Sequence, residues 1–237
     1  MEWFLDNFSY IAELTGLHLV QAILPLVFGV AVAIPVAQLA RLSKPLAGAI
    51  LTTSALLYTI PSLAMFVLLP LILGTQVLDP VNVIVALTIY AVALLVRSTL
   101  DALNSIDDGV RQAAVAMGFT PVRRFLTVDL PLSIPVLIAG LRVISVTNIS
   151  LVSVGALIGI PSLGTLFTDG LNRNFPTEIV IGIIVTLLLA LVMDLMLVVL
   201  ERVLTPWTRR AKVSDDPMQV TADANLGSDA SRAGGVY

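Results

Sequence analysis

Long unbroken apolar runs, rather than amphipathic alternation, dominate the pattern along this chain. Five stretches, at about 17–40, 47–73, 80–96, 134–158 and 178–200, carry almost no charge. A hydrocarbon core about 30 Å thick takes roughly 20 residues of helix, so each run reads as a membrane-spanning helix, the third being the shortest. The predicted fold is therefore an all-α integral membrane protein with five transmembrane helices. Residues 1–16 form a segment before the first span, 17–205 the membrane domain and 206–237 a tail. From about Val213 the tail has too few large apolar side chains to offset the entropy of ordering, and it reads as disordered. No fixed-period repeat is visible, nor an inverted duplication of the kind many secondary transporters carry.

The polar interruptions orient the spans. Of the 13 Lys and Arg residues, 11 fall on one side: Arg41 and Lys44 between spans one and two, Arg97, Arg111, Arg123 and Arg124 between three and four, and five beyond span five. Arg173 stands on the other side, and Arg142 lies inside span four. Basic loops stay cytoplasmic, which puts the N-terminus outside and the C-terminus inside. The first run is a retained span rather than a cleaved signal, because residues 1–17 hold Glu2, Asp6 and Glu13 but no basic residue.

Composition agrees with a lipid environment. Charged residues make up 12% of the chain and hydrophobic ones 57%, where a soluble domain carries about 25% charged, so most of the apolar surface must face lipid. The absence of cysteine excludes a disulfide scaffold, a zinc ribbon and a thiol nucleophile. A net charge of −3 argues against a nucleic-acid partner.

The informative polar segment runs from Arg97 to Pro135, and its spacing predicts two short helices. Asp107 and Asp108 stand at an N-terminal capping position, and Gly118 where a left-handed residue ends a helix. Between them Val110, Ala113, Ala114 and Met117 fall at i, i+3, i+4 and i+7, a narrow face of mostly small apolar side chains. Thr120-Pro121 then opens a second helix through about Val128, which Leu130-Pro131 ends. A short helix with such a face suits a groove on another protein, or equally the surface of a bilayer.

The order Gln112-Ala113-Ala114, three residues, Gly118, nine residues, Val128-Asp129-Leu130-Pro131 resembles the EAA loop of ABC importer membrane subunits, whose pattern is Glu-Ala-Ala, three residues, Gly, nine residues, Ile-x-Leu-Pro. Gln112 replaces the family's Glu and Val128 its Ile; Gln112 keeps the shape but gives up the charge, so only a neutral hydrogen bond can replace any salt bridge made there. The resemblance implies that Gln112, Ala113, Ala114, Met117, Gly118, Leu130 and Pro131 form an ATPase-coupling element. Thr59-Ile60-Pro61-Ser62-Leu63-Ala64, Ala139-Gly140-Leu141-Arg142, Ala156-Leu157-Ile158-Gly159 with Ser162-Leu163-Gly164, and Leu200-Glu201-Arg202 further resemble the osmoprotectant permeases for glycine betaine, choline, carnitine and proline. Together the likeness covers about residues 15–205. It implies a type I ABC importer permease fold in the cytoplasmic membrane of a prokaryote. The partners it implies are a cytoplasmic ABC ATPase dimer that holds ATP and Mg, a second permease subunit, identical or related, and an extracytoplasmic solute-binding protein.

Three features have readings apart from any family. Pro61 removes the N–H that would bond the Leu57 carbonyl, so span two should kink there, with Thr59 and Ser62 helping to satisfy the freed group; the kink is a gate hinge or a static bend. Ser145, Asn148, Val152, Gly155 and Gly159 form a polar and small stripe on span four, which either lines a pathway, with Ser145 and Asn148 as candidates, or admits another helix closely. Arg142 and Asp194 each lie about eight residues, roughly 12 Å, from the cytoplasmic ends of their spans. At matching depth they are expected to pair, the competing account being that Arg142 snorkels to headgroups.

The chain has no phosphate-binding G-x-x-x-x-G-K-[ST] loop, so ATP is not expected on it. No catalytic constellation and no metal site can be built: the only histidine, His18, reads as an interfacial residue at the outer start of span one. Tyr58, Phe66 and Tyr90 are scattered, as are Phe167 and Phe175, so no aromatic cage for a quaternary ammonium is evident and recognition is assigned to the separate binding protein. The expected function is that of a permease subunit, not an enzyme, of an ATP-driven importer for compatible solutes. The alternatives are a methionine or oxyanion permease of the same machine, a secondary transporter or channel using Arg142 and Asp194, and a membrane scaffold.

Overall fold

The computed structural model describes residues 2–207, and every regular element among them is helical. They are α1 (Glu2–Asp6), α2 (Phe8–Ala40), α3 (Lys44–Thr59), α4 (Ser62–Leu73), α5 (Pro80–Asn104), α6 (Asp108–Ala116), α7 (Pro121–Arg124), α8 (Leu130–Gly155), α9 (Thr165–Asn172) and α10 (Pro176–Leu204). Four helical segments are long and apolar enough to cross a membrane by themselves, and α3 with α4 makes a fifth crossing if that bent pair is one span. The tail expected to be disordered lies almost wholly outside the described residues.

Element ends differ from the sequence expectation where no breaker enforces them. Helix α2 begins at Phe8, ahead of the apolar run, because only Gly16 weakens helix between the two points. Helix α5 continues through Arg97 to Asn104, so the loop opens at Ser105. Leu130-Pro131 does not end the second loop helix. A π turn over Phe125–Asp129 joins α7 to α8, and the Leu130 N–H bonds the Phe125 carbonyl five residues back. That wider winding absorbs the N–H missing at Pro131, which sits in the first turn of α8. Helices α1 and α9 were not anticipated, both being too short to register as spans.

Helix α5 is the centre of the bundle and packs on α2, α3, α4 and α8. The core is Ala22, Leu26 and Ala33 of α2, Phe66 of α4, Ala86, Leu87 and Leu95 of α5, and Ile149 and Val152 of α8. In lipid no hydrophobic drive brings helices together, so close packing of small residues must do so. From Ala22 onward the buried face of α2 is mostly small, with Ala22, Gly29, Ala33, Ala37 and Ala40 beside Pro25 and Leu26. The opposite faces carry large exposed residues such as Val20, Val27 and Phe28 on α2 and Ile184, Leu187 and Leu195 on α10, as a lipid-facing surface requires.

Candidate functional site

The loop between α5 and α8 is built by its caps. Asp107 accepts the Gly109 N–H at 2.7 Å and starts α6. At the other end Gly118 has φ +81°, and the Gly118 and Phe119 N–H groups bond the carbonyls of Val115 and Ala114, closing a left-handed C-terminal motif that a side chain would strain. Thr120 caps α7 by accepting the Arg123 N–H at 3.4 Å, and the Arg123 guanidinium lies 4.5 Å from the centre of the Phe119 ring.

The face foreseen on α6 is divided. Ala114 turns inward and is 1% exposed, whereas Val110, Ala113 and Met117 face out with Gln112. Met117 is 70% exposed, and Val115, Val122 and Leu126 are further exposed apolar side chains on α6, α7 and the π turn. Leu130 and Pro131 are half-buried at the head of α8. The segment thus seats itself through Ala114 and leaves several large apolar side chains exposed beside arginines.

The proline in span two does more than kink it: α3 and α4 meet at 100°. The Leu57 carbonyl receives the Ile60 N–H at 3.4 Å instead of the donor Pro61 lacks, and Thr59 Oγ1 donates to the Leu56 carbonyl at 2.7 Å. Ser62 opens α4, whose N-cap is Pro61 and carries no side-chain cap hydrogen bond. The support comes from elsewhere, since Tyr90 Oη of α5 donates to the Ile60 carbonyl at 2.6 Å. Tyr58 stands edge-on to Tyr90, ring centres 5.8 Å apart, so these two aromatics meet rather than scatter, while Phe66 is fully buried. Below the break a cleft of about 470 Å³ is lined by Ser54, Tyr58, Arg97, Asp101 and Gly140 among others. Tyr90→Phe is expected to destabilise the bend by about 1 kcal/mol, the net worth of one hydrogen bond, as a lower unfolding temperature in detergent.

The span-four stripe packs inside the chain from Ser145 to Gly155, while Gly159 is exposed. Ser145 and Asn148 are buried, Ser145 Oγ donates to the Arg142 carbonyl at 2.8 Å, and a Cβ on Gly155 would stand 3.2 Å from Val83 of α5. A close helix approach is present at Gly155, and both polar side chains are buried within this chain. Arg142 and Asp194 meet across α8 and α10, Nε and Nη2 donating to the two carboxylate oxygens at 2.6 and 2.8 Å. The pair is partly exposed on the outside of the bundle and is bidentate, so each charge satisfies the other where lipid could not.

His18 is not interfacial but wholly buried. Because α2 starts early, His18 lies inside the bundle, and residues 160–164 fold over it. Its Nε2 donates to the Ile149 carbonyl at 3.0 Å and its Nδ1 accepts the Leu163 N–H at 3.3 Å, the pairing of a neutral imidazole. Gln21 Nε2 donates to the Pro161 carbonyl at 2.9 Å beside it. Among the described residues no group of His, Asp and Glu could hold a metal ion. Phe175, which had no evident partner in sequence, packs edge-on against Trp3 at 5.8 Å.

One charged residue of the loop escaped the sequence reading. Asp129, the unspecified position of Val128-Asp129-Leu130-Pro131, is completely buried with Arg41, Arg111 and Arg124 around it at 3.5, 3.6 and 3.7 Å. Burial and then the field of Arg111 lower the pKa of Arg41, with Asp129 opposing both. A lone carboxylate between arginines and an apolar run was the available signal.

Residues 26–210 match the family model described as binding-protein-dependent transport system inner membrane component. The osmoprotectant import permease protein OsmW of Salmonella typhimurium is 34% identical over 211 residues, 87% of this chain and 97% of that protein. The choline transport system permease protein OpuBD of Bacillus subtilis is 30% identical, covering 87% of this chain and 90% of its own. Among solved structures, the MetNI methionine ABC transporter in an inward facing conformation superposes with a TM-score of 0.68 at 22% identity, over 81% of this chain and 96% of that one. An amino acid ABC transporter crystallised with histidines gives 0.67 at 18% identity, over 84% and 97%.

Proposed function

This chain belongs to the family of binding-protein-dependent transport system inner membrane components, the permease subunits of ABC importers, and on that premise we propose that it passes a compatible solute such as glycine betaine, choline, carnitine or proline across the cytoplasmic membrane of a prokaryote. It is a transport subunit, with ATP hydrolysis on a separate one. Family membership removes the secondary-transporter, channel and scaffold alternatives. The observation that carries the solute class is full-length similarity to permeases named for osmoprotectants and choline, while the methionine transporter is alike in fold alone.

The outward face of the 105–129 segment is the contact for the partner ATPase dimer, which binds ATP and Mg. Gln112, Ala113, Met117 and the exposed valines touch it, Ala114 and Gly118 hold the helix in shape, and Leu130 and Pro131 pass its motion to α8. What supports this is a self-seated helix whose apolar surface is left uncovered beside Arg111, Arg123 and Arg124. The same positive charge supports a cytoplasmic loop, hence an outside N-terminus and an inside C-terminus. The bend at Thr59, Pro61 and Ser62 is the gate, in a pathway completed by a second permease, identical or related, and an extracytoplasmic binding protein delivers the solute.

The test is uptake by proteoliposomes holding this chain with the ATPase, permease and binding protein encoded beside it. ATP-dependent accumulation of labelled glycine betaine, choline, carnitine or proline is expected. Uptake of methionine or an oxyanion with none of these would refute the solute class.

A further inference from the structure

We propose that Asp129 is the positioning residue through which displacement of α6 reaches the spanning helices; the inference rests on reading the outward face of that segment as the ATPase contact. Three arginines from three elements converge on its carboxylate: Arg41 at the end of α2, Arg111 in α6 and Arg124 at the end of α7, while Asp129 itself stands at the head of α8. Arg111 reaches a fourth element, because its Nη2 donates to the Leu103 carbonyl in the last turn of α5, a group helix geometry leaves unpaired. Helix α6 is thereby tied to α2 and α8 through the buried Asp129 carboxylate and to α5 by the Arg111 hydrogen bond.

The spacing of this cluster suits a joint that moves. All three ion pairs lie at 3.5 to 3.7 Å, and neither carboxylate oxygen, nor Nε of Arg111 or Arg124, has a hydrogen-bond partner among the described residues. A buried carboxylate cannot be left without a counter-charge, yet none of the three arginines holds it in a fixed bidentate fork. With three positive groups around one negative group, any single guanidinium can withdraw while Asp129 stays neutralised. Two of the arginines also have an anchor of their own: Arg41 donates to Gln38 at 3.2 Å and Arg111 to Asp108 at 3.1 Å. The carboxylate is thus shared, so turning α6 alters the pull on α2 and α8 without exposing a charge.

The experiment measures, in the proteoliposomes above, solute-stimulated ATP hydrolysis and solute transported per ATP for the parent chain, Asp129→Asn, Asp129→Glu and Arg41→Gln. Asp129→Asn is expected to assemble with the ATPase and hydrolyse ATP at a rate that no longer responds to solute, with transport per ATP lowered about tenfold. Asp129→Glu is expected to restore most of the stimulation, a readout that a merely space-filling role would not produce. If Asp129→Asn fails to assemble, Arg41→Gln decides, since it leaves the contact face untouched and is expected to lower the ratio in the same direction. Stimulation and transport ratio unchanged in whichever of these two variants assembles would overturn the inference. A parent chain that moves none of the compatible solutes refutes the solute class instead, and loss of ATPase capture by Met117→Asp with normal coupling in the Asp129 variants separates the contact face from the joint.

Discussion

Met117→Asp is expected to abolish solute uptake and release the partner ATPase from the membrane, while the permease alone melts where the parent does. Met117 is 70% exposed and closes α6, so nothing in the chain's own packing depends on it. Burying a methionine against a partner contributes about 2 kcal/mol, and forcing an unpaired carboxylate into the same apolar contact removes that and adds a similar desolvation cost. A loss of about 4 kcal/mol corresponds to roughly a thousandfold in affinity. The measurement is co-purification of the ATPase with the permease, alongside uptake. Normal capture would exclude α6 as the contact. Ala114 and Gly118 are poorer probes, because a side chain added at either acts on the chain before it acts on the partner: Ala114 is 1% exposed and Gly118 holds a positive φ.

The second large effect is expected at the other end of the bundle, at Gly164. A Cβ there would stand 2.8 Å from both Cα and the carbonyl carbon of Ser153, and closer still to its carbonyl oxygen. These are backbone atoms of α8, which no rotamer change can remove. The loop cannot back away either, because His18 holds the Leu163 N–H and Gln21 the Pro161 carbonyl. Gly164→Val is therefore expected to cost about 3 kcal/mol or more, since overpacking against fixed atoms is at the upper end of its usual range. In a chain of this size that lowers the unfolding temperature in detergent by about 10 °C. A variant that melts with the parent would show that the loop does not press on α8.

How much of this was legible in the sequence follows from the solvent. Lipid demands unbroken apolar helices, so spans one, three, four and five announce themselves as runs, and Arg142 and Asp194 stand out within them. Caps are equally local, which is why Asp107, Gly118 and Thr120 mark the loop helices in advance. Geometry that depends on distant partners was not legible. Pro61 forecasts a bend, but its 100° angle relies on Tyr90 holding the Ile60 carbonyl across 30 residues of sequence. The surroundings of His18 come from Ile149 and Leu163, and those of Asp129 from Arg41, Arg111 and Arg124. Nor could periodicity show that Ala114 turns inward while Met117, three residues along the same face, turns outward.

The π turn that fuses α7 to α8 has a mechanical meaning. It makes residues 121–158 one helical rod of 38 residues, about 57 Å long at 1.5 Å per residue and nearly twice the thickness of a hydrocarbon core. The C-terminal end is pinned, by Ile149 to His18 and by Val152 to Ser162, whereas the N-terminal end carries the exposed Val122 and Leu126. A rod fixed at one end and pushed at the other is a lever. A tilt of only about 5° about that pinned end, which lies about 42 Å from Pro121, sweeps the Pro121 end through about 4 Å. A small displacement of the Pro121 end is thereby matched to angular motion of the apolar length of the rod, without the helix having to bend along it.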